Sequence, residues 1–200
     1  MLSKTLVIGI VAIFVVMSIT PISGIQIKQS NKSLFYSSDI LYVGGTGPDN
    51  YTKIQDAIDD ASDGDTVFVY AYSSPYYGYV KIDKTINLIG EDRNTTIIDG
   101  DFSWVVIKVS ADWVNISGFT IRNGGSGIGV GSYPTGYYYN TIKDNILSNN
   151  DCGIYIGYSN SNNIIDNNIL SNNDCGIDLF YSNSNSITAN NISNNNDYGI

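Results

Sequence analysis

The chain has 200 residues, enough for one domain with a core of its own, and its 19 acidic and 10 basic residues give a net charge of −9 at pH 7. This balance lacks the basic footprint of nucleic-acid-binding proteins, so we expect no nucleic-acid partner. No Lys or Arg follows Lys143, whereas six Asp residues do. The last part of the chain therefore suits cations or neutral polar ligands better than polyanions.

The N-terminus is typical of a secretory signal peptide over residues 1–24. Lys4 precedes an apolar run at 6–19, and small and turn-forming residues follow it. This run is shorter than a membrane span, and an uncleaved N-terminal anchor is the alternative. We expect contact with a membrane only through this segment. The polar stretch 25–40 predicts a linker, and a single folded domain is expected at 41–200.

The folded part begins with one helix and continues as short β-rich runs. Ile54, Ala57 and Ile58 share one face at helical spacing, which predicts a helix over 52–61. Thr52 and Gln55 have the spacing of a capping box at the start of this helix. The runs that follow, from "DTVFVY" to "VNISGFTI", are separated by Gly, Asn and Asp, which is typical of strands and turns.

A sequence repeat occupies the last third of the chain. "ILSNNDCGI" occurs at 146–154 and again at 169–177, and "ISNNNDYGI" follows at 192–200, a step of 23 residues each time. Although 18 of the 61 residues from Asn140 onward are Asn, Ile and Gly keep their register between copies, which argues against a disordered low-complexity tract. The aligned columns are Ile146/Ile169/Ile192, Ile154/Ile177/Ile200, Ile156/Leu179 and Gly153/Gly176/Gly199.

A repeat of this length without helical periodicity predicts one coil of a parallel β-solenoid. Equivalent residues of successive coils then lie about 4.8 Å apart, so inward Ile residues form a continuous core and stacked Asn side chains form hydrogen-bonded ladders. We expect Ile169, rather than its neighbour Leu170, to point inward, because Ile occupies all three copies of its column. The expected Asn columns are Asn145/Asn168/Asn191, Asn149/Asn172/Asn195 and Asn150/Asn173/Asn196.

The two ends of such a rod expose unpaired strand edges. We expect the apolar stripe of the helix at 52–61 to cover the first end. At the other end the sequence stops inside a repeat copy, so we expect more coils, or another domain, beyond residue 200.

The segment "YTKIQDAIDDASDGDTVFVYAYSSPYYGYVKIDKTINLIGEDRNTTIIDG" resembles the opening of pectin-lyase-like right-handed β-helix proteins. The Asn-rich copies are similar to the repeats of the NosD-like group, which are abundant in archaeal surface proteins. This resemblance covers roughly 41–200. It implies an all-β fold: a right-handed, single-stranded parallel β-helix of about 23 residues per coil with a short N-terminal capping α-helix.

The resemblance implies three kinds of function, namely polysaccharide processing, maturation of a copper enzyme, and extracellular binding or structure. The opening also resembles pectin methylesterases, but their later "GTxDFIFG" motif is missing. Lyases of this fold need a basic proton acceptor, and no Lys or Arg follows Lys143. Copper sites favour Cys, Met or His. The chain has no His, and both Met residues lie in the predicted signal peptide.

Cys152 and Cys175 are 23 residues apart and fall in the same predicted column. Their expected Cα separation of about 4.8 Å suits a disulfide, and an exported protein can keep one. The alternative is a stack of two small buried thiols. The sequence does not decide between the two.

A calcium site is the one cofactor that we consider for this chain. The predicted column of Asp151, Asp174 and Asp197 would place three carboxylates along one edge, and a divalent ion would relieve their repulsion. The alternative is a row of solvated turn residues, because Asp is common in turns.

Two Tyr-rich stretches are candidate carbohydrate-binding loops. Both carry Pro and Gly, which favour loops that leave the coils, and loops often display binding residues. Aromatic rings of this kind can stack on sugars; the alternative is an aromatic cover for the rod or a protein interface. The candidate residues are Tyr76, Tyr77 and Tyr79 in the first stretch and Tyr137, Tyr138 and Tyr139 in the second.

The sequence thus predicts a non-catalytic, secreted or cell-surface β-helix module for carbohydrate or surface binding, adhesion or structural assembly. Its expected partners are carbohydrates or components of the cell surface. The alternative is part of a polysaccharide-active lyase or hydrolase whose catalytic coils lie beyond residue 200.

Overall fold

The structure, a computed structural model, describes residues 38–200, so the predicted signal peptide and most of the predicted linker lie outside the described residues. One α-helix and a single turn of 3-10 helix at Ala71–Ser73 occur in this range, and all other regular elements are strands. In chain order the α-helix and the strands are β1 (Ile40–Val43), α1 (Ile54–Asp60), β2 (Thr66–Val69), β3 (Tyr76–Tyr77), β4 (Val80–Ile82), β5 (Asn87–Gly90), β6 (Ile97–Val109), β7 (Asn115–Ser117), β8 (Thr120–Val130), β9 (Thr141–Lys143), β10 (Ile146–Ser148), β11 (Cys152–Gly157), β12 (Asn163–Ile165), β13 (Asn168–Leu170), β14 (Cys175–Phe180), β15 (Ser186–Thr188) and β16 (Asn191–Ser193).

The strands wind into a parallel β-solenoid, as the sequence predicts, and the solenoid has three faces. Face I is a sheet of seven strands in the order β1-β2-β5-β7-β9-β12-β15. Face II contains β3, β10, β13, β16 and the first halves of β6 and β8, and face III contains β4, β11, β14 and the second halves of β6 and β8. All of these strand pairs are parallel, so each coil stacks on the one before it.

Aliphatic side chains fill the interior in four continuous columns. Each coil places one such residue from face I, one from face II and two from face III into the core, and no coil could bury these residues alone. The columns are Leu41/Val67/Leu88/Ile116/Ile142/Ile164/Ile187, Ile98/Ile121/Leu147/Ile169/Ile192, Val80/Ile107/Ile128/Ile154/Ile177 and Ile82/Val109/Val130/Ile156/Leu179.

The corners of the later coils share one local rule. At three bends of each coil a residue with a positive φ turns the chain, and the next residue is an Asn whose side chain points inward. At a fourth turn, after Tyr158 and Tyr181, Ser takes the place of Asn. Asp144 (φ 54°) before Asn145 and Asn149 (φ 55°) before Asn150 are examples. Asn and Asp tolerate this left-handed conformation better than most residues do. The inward Asn residues form three ladders, which are Asn140/Asn162/Asn185, Asn145/Asn167/Asn190 and Asn150/Asn172/Asn195.

Asn145 shows how a ladder satisfies buried polar groups. Its Nδ2 donates to the carbonyl oxygens of Ile116 and Lys143 at 3.1 and 2.9 Å. Both Nδ2 and the backbone N–H of Asn145 donate to Oδ1 of Asn167, at 3.2 and 3.0 Å. Its own Oδ1 accepts the backbone N–H of Phe119 at 3.1 Å. Each rung therefore pairs backbone groups at a bend where no strand partner is available.

The predicted Asn columns are wrong by one residue at their first step, because the step between two coils is not constant. Their second step of 23 residues is confirmed for Asn168/Asn191 and Asn172/Asn195. Asn150 stacks on Asn172, 22 residues later, whereas Asp151 stacks on Asp174, 23 residues later. The later coil carries one additional residue, Asn173, at this corner, and its side chain is exposed.

The same change of step affects the core of face II. Ile169 points inward as predicted. The residue stacked on it from the preceding coil is Leu147 rather than Ile146.

Helix α1 covers the first end of the solenoid, as predicted, and buries Ile54, Ala57 and Ile58. The predicted capping box does not form, because the first residue before the helix is Lys53 and no side chain caps it. The Gln55 side chain instead pairs with both backbone groups of Lys81 on β4, at 2.8 and 3.2 Å. It thereby satisfies part of the strand edge that the first coil would otherwise expose.

The C-terminal end of α1 is held by a cation. Nζ of Lys84 donates to the carbonyl oxygens of Ile58, Asp59 and Ala61 at 3.0, 2.6 and 2.7 Å. A positive charge at this end also opposes the negative end of the helix dipole.

The Asn ladder predicts a large difference between two Asn residues of one coil. Asn167→Ala removes the hydrogen bonds from its side chain to the carbonyl oxygens of Ile142 and Ile165 and from the backbone N–H of Asn145 to its Oδ1. We expect the free energy of unfolding, measured by urea titration with circular dichroism, to fall by about 3 kcal/mol. The exposed Asn163 is the matched control, and Asn163→Ala should change it by less than about 0.5 kcal/mol. Equal effects of the two substitutions would contradict a structural role for the ladder.

Candidate functional site

The first Tyr-rich stretch lies beside the N-terminal end of α1 and contains one buried and two exposed candidate residues. Tyr76 is only 7% exposed, and its hydroxyl donates to the carbonyl oxygens of Tyr70 and Val43 at 2.7 and 3.3 Å. Burial raises the pKa of Tyr76. Tyr77 and Tyr79 are 72% and 49% exposed. Tyr76 therefore forms part of the support, while Tyr77 and Tyr79 present their rings to solvent.

A cleft of about 400 Å³ separates these tyrosines from the start of α1. We call it the tyrosine cleft. Thr52, Lys53 and Ser73 are polar members of its lining, and Tyr76, Tyr77 and Tyr79 are its aromatic members. Its volume falls in the range of small-molecule sites.

The second Tyr-rich stretch does not contribute to the tyrosine cleft. Tyr137 is half-buried and packs against the core, and its backbone N–H donates to Oγ of Ser159 at 2.9 Å. The ring of Tyr139 stacks on that of Trp113, with centroids 4.5 Å apart, and Tyr138 lies beside it at 6.5 Å. These rings cover each other, so this stretch offers less free aromatic surface than Tyr77 and Tyr79 do.

Cys152 and Cys175 occupy one column on adjacent coils of face III, with Cα atoms 4.6 Å apart. The structure joins their sulfurs in a disulfide with an S–S distance of 2.10 Å. Both residues are also buried. The bridge links β11 to β14 covalently in addition to their backbone hydrogen bonds.

The acidic residues Asp151, Asp174 and Asp197 form the column that the sequence predicts. The backbone N–H of Asp174 donates to the carbonyl oxygen of Asp151 at 2.8 Å, and the N–H of Asp197 donates to the carbonyl oxygen of Asp174 at 2.8 Å. All three side chains are exposed, and Nδ2 of Asn173 donates to Oδ1 of Asp151 at 3.2 Å. The column is therefore regular in its backbone and open to solvent.

The three carboxylates of this column do not converge on one point. Within residues 38–200, no three His, Cys, Asp or Glu side chains converge closely enough to hold a metal ion. Asp151, Asp174 and Asp197 thus share one edge without forming a three-carboxylate cluster. The charge of Asp197 acts on its neighbour instead: burial raises the pKa of Tyr198, and the carboxylates of Asp178, Asp174 and Asp197 raise it further. Calcium binding at Asp151, Asp174 and Asp197 stays a prediction.

Two exposed aromatic residues on β6 are not among the residues that the sequence predicts to bind a ligand. Phe102 and Trp104 are 90% and 94% exposed, although "FSWVVIKV" reads as an ordinary strand. A register break between Asp99 and Ser103 turns the chain outward here. The pair Asp99-Gly100 is typical of a turn, but the sequence does not indicate that the two rings after it are exposed.

The side chain of Asp99 stabilises this turn. Its side chain is buried and accepts hydrogen bonds from Nε of Arg122 at 2.8 Å, Nδ2 of Asn123 at 2.9 Å and the backbone N–H of Asp101 at 3.2 Å. Burial opposes ionisation of Asp99, but these hydrogen bonds outweigh burial and lower the pKa of Asp99 below its ordinary value of 3.8. Asp99 is therefore a charged hub between two coils.

Comparisons with known proteins point to one family. The family model described as periplasmic copper-binding protein (NosD) matches residues 58–200. Neither the curated proteins nor the solved structures give a significant match to this chain. Within residues 38–200, no helix has the length and hydropathy that crossing a membrane requires.

The lowered pKa of Asp99 predicts a pH-dependent stability difference. Because the folded-state pKa lies below the unfolded-state value, ionised Asp99 stabilises the protein above about pH 4, and this contribution disappears as the pH falls through the folded-state pKa. Asp99→Asn should lower the free energy of unfolding by about 1.5–3 kcal/mol at pH 7 and by clearly less at pH 3. Urea titrations at both pH values test this. The exposed Asp101 provides the control substitution Asp101→Asn, and a pH-independent effect of Asp99→Asn would contradict the charged hub.

The disulfide predicts the result of a thiol titration. The chain has two Cys residues, so protein unfolded in denaturant without reductant should show no free thiol, and reduction should release both. Two free thiols before reduction would contradict the bridge and favour the stack of buried thiols.

Proposed function

This chain belongs to the NosD family, and from that membership we propose that it acts outside the cytoplasm as a non-catalytic β-helix module that binds carbohydrate. The family is described as periplasmic, which supports an extracytoplasmic location. Presentation at the cell surface or secretion is the finer form of this proposal. That a polysaccharide-active enzyme continues beyond residue 200 stays a prediction.

The copper in the family description does not suit the residues of this chain. Copper sites are built from Cys, Met and His. The chain has no His, and Met1 and Met17 lie outside the described residues. Cys152 and Cys175 are joined to each other and present no thiolate. Within the part of the chain that the structure describes, the donor set does not fit a copper ion, and we derive no activity from one.

The tyrosine cleft is the observation that carries the proposal. Tyr77 and Tyr79 are exposed and line a cleft whose lining also includes the polar residues Thr52, Ser73 and Lys53. Sugars combine apolar C–H faces, which pack on aromatic rings, with hydroxyl groups that need polar partners. The cleft offers both kinds of contact within about 400 Å³.

The fixed geometry of the cleft also favours binding. Gln55 anchors the start of α1 to β4, and the buried Tyr76 anchors the Tyr-rich stretch to β1 through the carbonyl oxygen of Val43. Both walls therefore belong to the capped end of the solenoid. A rigid site loses less conformational entropy when a ligand binds.

A double substitution tests the tyrosine cleft. We measure binding on a glycan array and by calorimetry in a Trp104→Ala background, which removes the exposed indole on β6 from the experiment. Adding Tyr77→Ala and Tyr79→Ala should weaken oligosaccharide binding at least tenfold, which corresponds to about 1.4 kcal/mol.

The control for this experiment is Tyr181→Ala. Tyr181 is 71% exposed, close to the 72% of Tyr77, and lies on the last described coils. Its substitution should leave affinity unchanged. If the double variant keeps the parent affinity, or if the parent binds no glycan, the tyrosine cleft is not a carbohydrate site.

A further inference from the structure

We propose a second binding site, a groove for an extended neutral oligosaccharide, at the corner between faces II and III. It rests on the proposed carbohydrate-binding function but uses other residues than the tyrosine cleft. We call it the amide groove. Its volume is about 270 Å³, and Phe102, Asn123, Asn149, Asp151 and Asn173 line it.

The direction of the amide groove follows from the fold. Asn123, Asn149 and Asn173 come from three successive coils, and coils are spaced about 4.8 Å apart, so the lining spans roughly 10 Å along the axis. The groove therefore runs parallel to the axis. An extended chain of sugar rings fits this shape better than a single ring does.

Phe102 lines this groove, and Trp104 lies beside it, because the neighbour of Trp104 on the next coil is the lining residue Gly125. Phe102 and Trp104 are 90% and 94% exposed, and neither ring contacts another aromatic ring within residues 38–200. By contrast, Tyr158 and Tyr181 at another corner stack on each other at 5.3 Å. Two large apolar side chains standing nearly free in water are unusual for a protein surface and are typical of binding sites.

A glycine keeps the surface next to Trp104 open. Gly125 is the residue beside Trp104 on the next coil, and a Cβ at this position would lie 2.6 Å from the carbonyl oxygen of Trp104. Because no larger residue fits there, the floor of the groove between Trp104 and Asp151 carries no side chain from that coil. This gap leaves room for a ligand against the indole ring.

The turn that presents Phe102 is fixed rather than loose. Asp101 and Phe102 have φ values of 47° and 62°, and a positive φ is uncommon for a bulky residue such as Phe. The buried Asp99 holds this turn through the N–H of Asp101 and holds one groove wall through Asn123. An unfavourable backbone conformation that the surroundings enforce is frequent at ligand sites.

The charge and chemistry of the lining indicate the ligand class. Three side-chain amides can pair with sugar hydroxyl groups both as donors and as acceptors. Asp151 is the charged member of the lining, and Asp174 continues its column on the next coil. An acidic polysaccharide such as polygalacturonate would be repelled here, so the amide groove selects neutral chains.

The fluorescence of Trp104 tests this proposal directly. Trp113→Phe leaves Trp104 as the single tryptophan, since the chain has two. We titrate this variant with cellohexaose, xylohexaose, mannohexaose and hexagalacturonate. At least one neutral hexasaccharide should shift the emission to shorter wavelength with a Kd below about 1 mM, and hexagalacturonate should bind at least tenfold more weakly.

Two further variants, made in the same Trp113→Phe background, show which residues are needed for the change in Trp104 fluorescence. Phe102→Gly removes the ring and relieves the positive φ, so it should keep the melting temperature at or above the parent value while the affinity falls at least tenfold. Tyr77→Ala with Tyr79→Ala should leave the Trp104 response within twofold. If Trp104 responds to a hexasaccharide while the tyrosine-cleft experiment fails, the amide groove is supported and the tyrosine cleft is ruled out as a carbohydrate site. If the tyrosine-cleft experiment succeeds while Trp104 does not respond, only the amide groove is ruled out.

Four results would overturn the amide groove. They are the absence of any Trp104 response to the neutral hexasaccharides, a Phe102→Gly variant that titrates like its parent, a Trp104 response lost together with Tyr77 and Tyr79, and a dimer in light scattering that Phe102→Gly dissociates. The last result would assign the aromatic surface to contact with a second copy of the chain.

Discussion

The inward-facing asparagine at the corners is the interaction on which the structure of the later coils depends. A coil that bends three times buries backbone N–H and carbonyl groups at each bend, where the β-sheet ladder is interrupted. One Asn side chain supplies the missing donor and acceptor at once, and its Nδ2 connects it to the next coil by donating to Oδ1 of the Asn stacked there. Unpaired polar groups in such a position would destabilise the fold. Residues on the outer surface do not have to pair these backbone groups, and both proposed sites lie on that surface.

The fold was predictable because its signal is repeated. Ile and Gly hold their columns over several coils, and this regularity indicates stacking without knowledge of any contact. The register of the Asn residues was not predictable in the same way. Asn149 and Asn150 are identical in type, and which of them points inward depends on which one takes the left-handed conformation. A shift of one residue exchanges the inward and outward sets, so the local sequence leaves two registers that only the stacking resolves.

The candidate sites were also predictable only in part. Pro75 and Gly78 indicate a turn, so the exposure of Tyr77 and Tyr79 could be inferred from the sequence. The burial of Tyr76 could not, because it depends on a hydrogen bond from the Tyr76 hydroxyl to the carbonyl oxygen of Val43 on β1. Phe102 and Trp104 lie in a run that any pattern would assign to a strand. Their exposure comes from the turn anchored on Asp99, a residue that is buried only because Arg122 and Asn123 arrive from the next coil. The local sequence indicates the turn at Asp99 and Gly100, but it does not indicate the contacts from the next coil that hold this turn.

The additional residue Asn173 shows how this architecture accommodates change. The coil lengthens at a corner, the sheets on either side keep their pairing, and the new side chain enters the wall of the amide groove. Insertions at this corner are thus absorbed without repacking the interior. The positions that hold the solenoid together and those that form the proposed groove are thus largely separate, so the surface of this corner can change while the coils keep their stacking.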